Sequence, residues 1–478
     1  MMEYEPVIGL EVHARIKSKT KLFCRCSNDF FNAAPNSHVC PICMGFPGML
    51  PLPNGEAIQQ GIKAAVALGC AIPEFSKFDR KSYFYPDLPK GYQISQYDKP
   101  VSEKGKITIR LADGILKPIG ITRLHLEDDA GKLTHTEKGT LVDYNRSGSP
   151  LMEIVSEPEL FSVEEASAYT RQIQKILRYV EASDADMEKG QMRFDINISL
   201  RPKGVKKFGV KVEVKNLNSF RSLEKALAYE IQRQTELLSG GKTIIQETRG
   251  WDDEKEVTAS QRSKEGSADY RYFPEPDIPP LVVTREMIAE LKKQIPELPE
   301  AKAERYQQEL KLPVAMAQQL AASADLALYF ERAFKISGDA QKTANWILSE
   351  LMAKLNENGI AISDCPLSPE HLGKLVALIC QSRITGKIAK GIFPELYEKN
   401  LNPETLVAEK GFEMMCNTAE LEKICREVIA KNPQTAADFK AGKERALGAL
   451  IGQVMAATHG TAAPESVNNL LKKLIFNS

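Results

Sequence analysis

The chain has 478 residues, 43% of them hydrophobic, and its 63 basic side chains balance 63 acidic ones to a formal charge of zero. The length supports two to four domains with cores of their own, and the charge excludes a general nucleic-acid coat, leaving RNA contact to local patches or a partner protein. Three features argue against export, a membrane span and a disulfide framework: a start without a basic and apolar leader, no apolar run near the roughly 18 residues of a membrane helix, and only nine cysteines in so long a chain. The expected location is the cytoplasm.

Ile8–Arg15 alternates as a strand with Glu11, His13 and Arg15 on one face. Cys24-x-Cys26 follows, then Cys40-Pro41-Ile42-Cys43 after thirteen intervening residues, with Gly45 suited to a knuckle turn. Two close pairs on short turns are what a tetrahedral Zn²⁺ with four thiolates asks for, and the set offers no open position, so the site reads as structural. Four reduced core cysteines are the alternative. Cys70, Cys365, Cys380, Cys416 and Cys425 are scattered, mostly in apolar helical contexts where cysteine is a small core residue. Ile121–Glu127 is a further candidate strand and ends in the acidic run Glu127-Asp128-Asp129. Val163–Glu181 and Leu223–Leu238 have helical periodicity. Between them, Met192–Leu200 places Arg193, Asp195, Asn197 and Ser199 on one strand face, and Val210–Lys215 does the same for Lys211, Glu213 and Lys215.

The proline-rich run Tyr272–Pro280 ends this mixed region. Beyond about Glu286 the pattern is helical, with Pro296, Pro299, Pro313, Pro366, Pro369 and Pro394 at expected helix edges, and a second break falls near Leu401-Asn402-Pro403. In the tail, Gly448 and Gly452 are expected to serve helix packing. Lys440, Lys443, Arg445, Lys472 and Lys473 read as a solvated face or as a modest phosphate-contacting surface. The expected fold class is α+β: a large mixed-sheet, cradle-like catalytic domain over 1–292, an all-helical domain over 293–403, and a small helical tail domain over 404–478.

If the strands are neighbours, Glu11, His13, Glu127, Glu153 and Asp195 converge, supported by Arg146, Lys211, Glu213 and Lys215. Two carboxylates about 4 Å apart repel by roughly 4 kcal/mol at an effective dielectric near 20. Such a cluster calls for a hard cation such as Mg²⁺; a surface sheet with ordinary ion pairs fits the same pattern. The sequence has no GxxxxGK[ST] loop, no GxGxxG turn after a strand and no GxSxG elbow. Any ATP is therefore held by metal and basic side chains.

Five segments closely resemble the B subunit of the glutamyl/aspartyl-tRNA amidotransferase: Lys81–Gln93, His125–Lys132, Asp143–Pro158, Glu213–Phe220 and Asp269–Pro280. The likeness runs essentially end to end, and the tail resembles the small tRNA-binding domain of that family. The resemblance implies a heterotrimer, completed by a glutamine-hydrolysing amidase (the A subunit) and a small clamping protein (the C subunit). It also implies ATP-dependent phosphorylation of the side-chain carboxylate of Glu-tRNA(Gln) or Asp-tRNA(Asn), followed by amidation with ammonia from the partner. Nothing like the amidase's Ser-Ser-Lys machinery occurs in this chain, in keeping with that division of labour. By resemblance Glu11, His13, Glu127 and Glu153 are metal-binding and catalytic, with Asp195 beside them. Arg146 and Lys215 are catalytic cations for phosphate charge, and Arg193 and Asp195 lie at the nucleotide. Lys81, Tyr83, Tyr85, Asp87 and Lys90 match the stretch near the family's ammonia entry, and Cys24, Cys26, Cys40 and Cys43 match its zinc knuckle. A zinc-dependent RNA-binding factor and a divergent metallohydrolase are the other function classes; the first predicts no turnover, the second turnover without partners.

Overall fold

The computed structural model describes residues 3–263, 269–412, 418–458, 461–462 and 464–476; Cys416 lies outside them. The chain divides into two compact units, 1–298 and 299–478.

The first unit is built on an eight-stranded sheet. In chain order its strands are β1 (Tyr4–Arg15), β4 (Ser102–Arg110), β5 (Leu116–Asp128), β6 (Pro150–Ser156), β7 (Met192–Pro202), β8 (Val212–Leu217), β9 (Glu247–Asp252) and β10 (Val257–Ser263). Two short strands of a separate three-stranded sheet, β2 (Asp79–Ser82) and β3 (Tyr92–Ser95), fall between β1 and β4, and β11 (Phe273–Pro274) completes that smaller sheet. The spatial order of the large sheet is β10-β9-β8-β7-β1-β6-β5-β4. Every pairing is antiparallel except β8 with β9. β1 is central, so both of its edges are hydrogen-bonded. Lys211, expected within a strand, stands exposed just before β8.

Period-two alternation gives this sheet two unlike faces. Leu10, Val12, Met152, Ile154, Phe194, Ile196 and Val214 form one core with residues of three helices, α1 (Gly55–Ala67), α2 (Val163–Tyr179) and α3 (Phe220–Ser239). Each helix starts where a short polar side chain caps it: Asn54 accepts from the Ala57 N–H, Ser162 from Glu165 and Ser219 from Ser222. The wholly buried Glu230 of α3 pins that helix to β9 and β10 through Arg249 and Thr258, and also pairs with Arg233 one turn along the helix. The Pro-rich run Tyr272–Pro280 contributes β11 at a sheet edge, where Arg80 of β2 grips Glu275 at 2.7 and 2.9 Å. Leu291 belongs to the first core, and Ile295 and Leu298 pack against it, so the first unit runs a few residues past the break expected after 292.

Among the described residues the second unit is helical throughout. Its apolar side chains form two clusters, one including Tyr306, Phe330, Leu372 and Leu396, the other Leu421, Leu450, Val454 and Leu471. Pro369, Pro403 and Pro433 occupy first-turn positions, as expected of a residue without an N–H. Pro394 does not mark an edge: it sits inside the helix Gly386–Lys399. The lost hydrogen bond there is offset by burial of its neighbours Ile392, Phe393, Leu396 and Tyr397. Gly448 and Gly452 also depart from expectation, since a Cβ at either would meet open space instead of a packed helix. Lys440, Arg445, Lys472 and Lys473 are exposed, as is Lys443, which pairs with Asp438 at 3.0 Å.

Ile196 is fully buried on the helix-covered face. Ile196→Ala should lower the stability of the first unit by about 2–5 kcal/mol, read as an earlier denaturant transition; an unchanged midpoint would contradict the placement of the core.

Candidate active site and metal centres

The other face of the sheet carries the charge. Register alone sets a row across four strands: His125 of β5 lies opposite Glu153 of β6, Glu153 opposite His13 of β1, and His13 opposite Arg193 of β7. One step along β1, Glu11 lies opposite Asp195. Glu127, two residues beyond His125, reaches the same place. His13 Nδ1 stands 3.9 Å from both Glu127 Oε1 and Glu153 Oε2, and its Nε2 stands 3.8 Å from Asp195 Oδ2. His125 Nε2 lies 3.5 Å from each of Glu127 and Glu153. All of these side chains except Glu11 and Arg193 are buried.

Burial, reinforced by the Arg193 charge, pushes the His13 imidazole down to about 3, so the ring is neutral at physiological pH. Its contacts to the carboxylates are thus not ion pairs, and at 3.8–3.9 Å they are too long for hydrogen bonds. Nδ1 is buried without a hydrogen-bond partner. Burial opposes ionisation of Glu127, but the hydrogen bond from His125 and the Lys81 ammonium outweigh it and hold that carboxyl below its usual range. Burial raises Glu153 and Asp195, against His125 and Lys215 respectively. A small divalent ion about 2.1 Å from its ligands puts opposite ligands about 4.2 Å apart, so the donor set fits one. The fit is in two groups, not one: Glu11 and Asp195 face one ring nitrogen of His13, while Glu127 and Glu153 face the other. A neutral imidazole offers a lone pair on one nitrogen only.

The acidic run after Glu127 is held by cations. Asp128 pairs with Lys90 and accepts from the Ile94 N–H at 2.7 Å. Asp129 lies 3.5 Å from Arg193 Nη2 and 3.6 Å from Arg146 Nε. Burial raises Asp129, yet Arg146 and Arg193 bring it below its ordinary value. Arg146 donates to the Ala130 and Gly131 carbonyls at 2.8 and 2.7 Å. At the other margin Lys215 Nζ approaches Glu213 at 3.3 Å and Asp195 at 3.5 Å, and Asn197 donates to Glu11 at 2.9 Å.

Three participants lie outside the set expected from sequence. His125 had a signal, being two residues before Glu127 on the same strand face. Asp129 lay in the noted acidic run. Ser95 comes from the separate small sheet, where no spacing announces it, and donates to Glu127 at 3.0 Å. Lys81, matched by resemblance to the stretch near the ammonia entry, comes from that small sheet too. Its ammonium lies over the Tyr270 ring, and the charges of Glu127, Tyr272 and Glu153 raise it despite burial. Tyr83, Tyr270 and Tyr272 form an aromatic rim there, and Phe84 and Tyr85 beside it are exposed.

Cys24, Cys26, Cys40 and Cys43 bring one sulfur each within 4.8 Å of the others. Cys40 Sγ and Cys43 Sγ are 3.9 Å apart, against about 3.8 Å for the edge of a zinc–thiolate tetrahedron with 2.3 Å bonds. The turn at Cys40–Phe46 closes through Met44 N–H to Cys40 O and Phe46 N–H to Pro41 O. It ends at Gly45, whose φ of +68° and contact with Lys90 leave no room for a side chain. A hydrogen bond from Cys24 brings the Cys43 thiol down to about 5 against the effect of burial, so a thiolate is ready for a metal.

Residues 6–289 match the family described as the GatB/GatE catalytic domain, and residues 328–475 match the GatB domain. The chain is 50% identical over 477 residues to the B subunit of the aspartyl/glutamyl-tRNA(Asn/Gln) amidotransferase from Carboxydothermus hydrogenoformans, covering 99% of each chain. It is 50% identical over 475 residues to the one from Persephonella marina, covering 99% of this chain and 100% of the relative. The chain belongs to the amidotransferase B-subunit family. It is thus a ligase-type component of an enzyme with several kinds of chain. The catalytic-domain match spans the whole charged sheet face and the cysteine knuckle of this family member. Among its described residues no helix is long and apolar enough to cross a membrane.

The purified chain should carry one zinc by elemental analysis, and Cys40→Ser should lose it. A metal-free wild type prepared without chelators would contradict the tetrathiolate reading.

Proposed function

We propose that this chain is the component that activates misacylated tRNA. It uses ATP to phosphorylate the side-chain carboxylate of Glu-tRNA(Gln), Asp-tRNA(Asn) or both, and ammonia then displaces the phosphate to give the amide. The observation that carries the reading is the row His125–Glu153–His13–Arg193 with Glu127 and Asp195 beside it: the buried carboxylates Glu127, Glu153 and Asp195 stand 3.8–3.9 Å from the two nitrogens of one neutral imidazole. A carboxylate is a poor electrophile, and phosphorylation equips it with a leaving group. Such a transfer needs positioning and charge neutralisation more than covalent chemistry.

Glu127, Glu153 and His13 Nδ1 hold the divalent ion, with Glu11 and Asp195 on the far side of the ring. Mg²⁺ at that place neutralises phosphate charge when bound. Lys215 and Arg193 flank the face and bind phosphate oxygens, Arg193 and Asp195 beside the nucleotide. Arg146 adds positive charge while holding the loop after the acidic run. His125 fixes Glu127 and Glu153 in a shared orientation. Lys81, inside its tyrosine rim, keeps the metal-facing carboxylates ionised. Cys24, Cys26, Cys40 and Cys43 hold a structural Zn²⁺. Ammonia is supplied by a glutamine-hydrolysing amidase, the A subunit, and the small C subunit completes a cytoplasmic heterotrimer. The chain divides functionally into the catalytic domain (1–298), a helical domain (299–403) and a tRNA-binding tail (404–478). The exposed Lys440, Arg445, Lys472 and Lys473 give that tail a local phosphate-contacting patch within a neutral chain.

The test is ADP release by the assembled complex with and without misacylated tRNA. Glu127→Gln keeps the shape and removes the charge; it should cut tRNA-dependent release by about 100-fold, corresponding to about 3 kcal/mol of lost transition-state stabilisation, with assembly intact. Normal turnover by this variant would place the phosphorylation centre elsewhere.

A further inference from the structure

The cysteine knuckle and the charged sheet face are joined by a built connection. Lys21, on the segment leading into the first cysteine pair, is wholly buried. Its ammonium donates to Cys43 Sγ at 3.8 Å, to the His38 carbonyl at 2.8 Å and to the Tyr144 carbonyl at 3.3 Å. The first two acceptors belong to the knuckle and its loop, the third to the segment Asp143–Ser149 that carries Arg146. Asn145, also buried, makes the same crossing: its Oδ1 accepts from the His38 N–H at 2.7 Å and its Nδ2 donates to the Ala34 carbonyl at 2.7 Å.

The connection continues into the site. Within the loop, the Ser147 N–H donates to Tyr144 O. The Gly148 N–H donates to Asp129 O at 2.9 Å, and the Asp129 N–H donates to Ser149 O at 2.8 Å. Gly148 has a φ of +84°, and Cys43 Cβ and Lys21 Cδ would each lie 3.5 Å from a Cβ placed on it. The loop is thus packed between the knuckle on one side and the acidic run on the other.

Charge explains why a lysine stands at the junction. Four thiolates around Zn²⁺ would leave two net negative charges in a half-buried knuckle, and a charge withdrawn from water is tolerated when it is paired and hydrogen-bonded. Lys21 supplies a cation there, and its remaining donors hold carbonyls of both loops. We propose that Lys21 and Asn145 are positioning residues that couple the zinc knuckle to the Asp143–Ser149 loop, so that the metal-loaded knuckle sets Arg146 and Asp129 in place beside Glu127. The zinc centre then acts at a distance on phosphoryl transfer while supplying no ligand to it. This coupling rests on the assignment of the sheet face to that reaction.

Hydrogen exchange on the full chain in its assembled complex tests it, with tRNA-dependent ADP release measured on the same samples of wild type, Lys21→Met and Asn145→Ala. In both variants, and in wild type stripped by a zinc chelator, peptides spanning 128–131 and 143–149 should exchange about tenfold faster. Peptides from α3 should keep wild-type protection. In the variants kcat should fall about tenfold while KM for the misacylated tRNA stays within about twofold, because the loop orders the reacting centre and not the tRNA. Should Lys21→Met also lose α3 protection, it has unfolded, and Asn145→Ala decides the matter. Wild-type exchange rates at 128–131 and 143–149 in Asn145→Ala and in the stripped protein would overturn the coupling. Faster exchange with undiminished kcat would uphold the coupling and overturn instead the assignment of this face to phosphoryl transfer.

Discussion

Carboxylates crowded on one buried sheet face are the constraint to which the first unit answers. Glu127 and Glu153 share one histidine at 3.5 Å, and Asp128 and Asp129 follow directly in the chain. The Glu127 and Glu153 carboxylates come within 4.8 Å of each other, and at about 4 Å a like-charge pair costs roughly 4 kcal/mol at an effective dielectric near 20. The protein meets part of this with its own cations: Lys90 on Asp128, Arg146 and Arg193 on Asp129, Lys215 on Asp195 and Lys81 opposite Glu127. The centre itself is left to a neutral imidazole. A protonated His13 would supply the missing charge, yet burial and Arg193 keep the proton off. The proposed divalent ion would complete a face arranged this way.

The fold makes the arrangement tolerable. Pairing β1 on both edges removes any freedom of register, and a slip by one residue would turn Glu11 and His13 into the core. The helices on the opposite face fix the sheet from behind, with Glu230 as a buried anchor between α3 and the last two strands. The knuckle and the Asp143–Ser149 loop then close over the end of β5, where the acidic run leaves the sheet. Rigid strands carry the clustered carboxylates and His13, and the loops packed on the cysteine knuckle carry cations beside them, an allocation that suits the proposed reaction, which is governed by positioning.

Much of this was legible in the sequence because its periods are local. Alternation placed Glu11 with His13, and Arg193 with Asp195, on common faces before any pairing was known. The cysteine spacing announced the four-sulfur cluster because both pairs sit on short turns. Family resemblance drew attention to Glu127, Glu153 and Arg146, which the structure brings to or beside the same sheet face. What stayed hidden depends on contacts between distant segments. Ser95 reaches Glu127 from a second sheet, which also brings the Lys81 charge to bear on it, and the separation of Glu11 from Glu127 into two groups about His13 follows from strand order. Pro394 and the exposed Gly448 and Gly452 show the opposite failure: residue-type rules for helix edges and close packing gave way to the burial of neighbouring apolar side chains.

Mn²⁺ titration followed by electron paramagnetic resonance asks directly whether this face holds a hard divalent ion, without any partner or substrate. Wild-type chain should bind Mn²⁺ and release it to excess Mg²⁺. Glu153→Gln, which removes one charge from the centre while leaving the cysteine knuckle untouched, should weaken binding at least about tenfold, equivalent to about 1.4 kcal/mol. Equal Mn²⁺ affinity in wild type and variant would contradict a metal centre here, and the carboxylates would then be an ion-paired surface and nothing more.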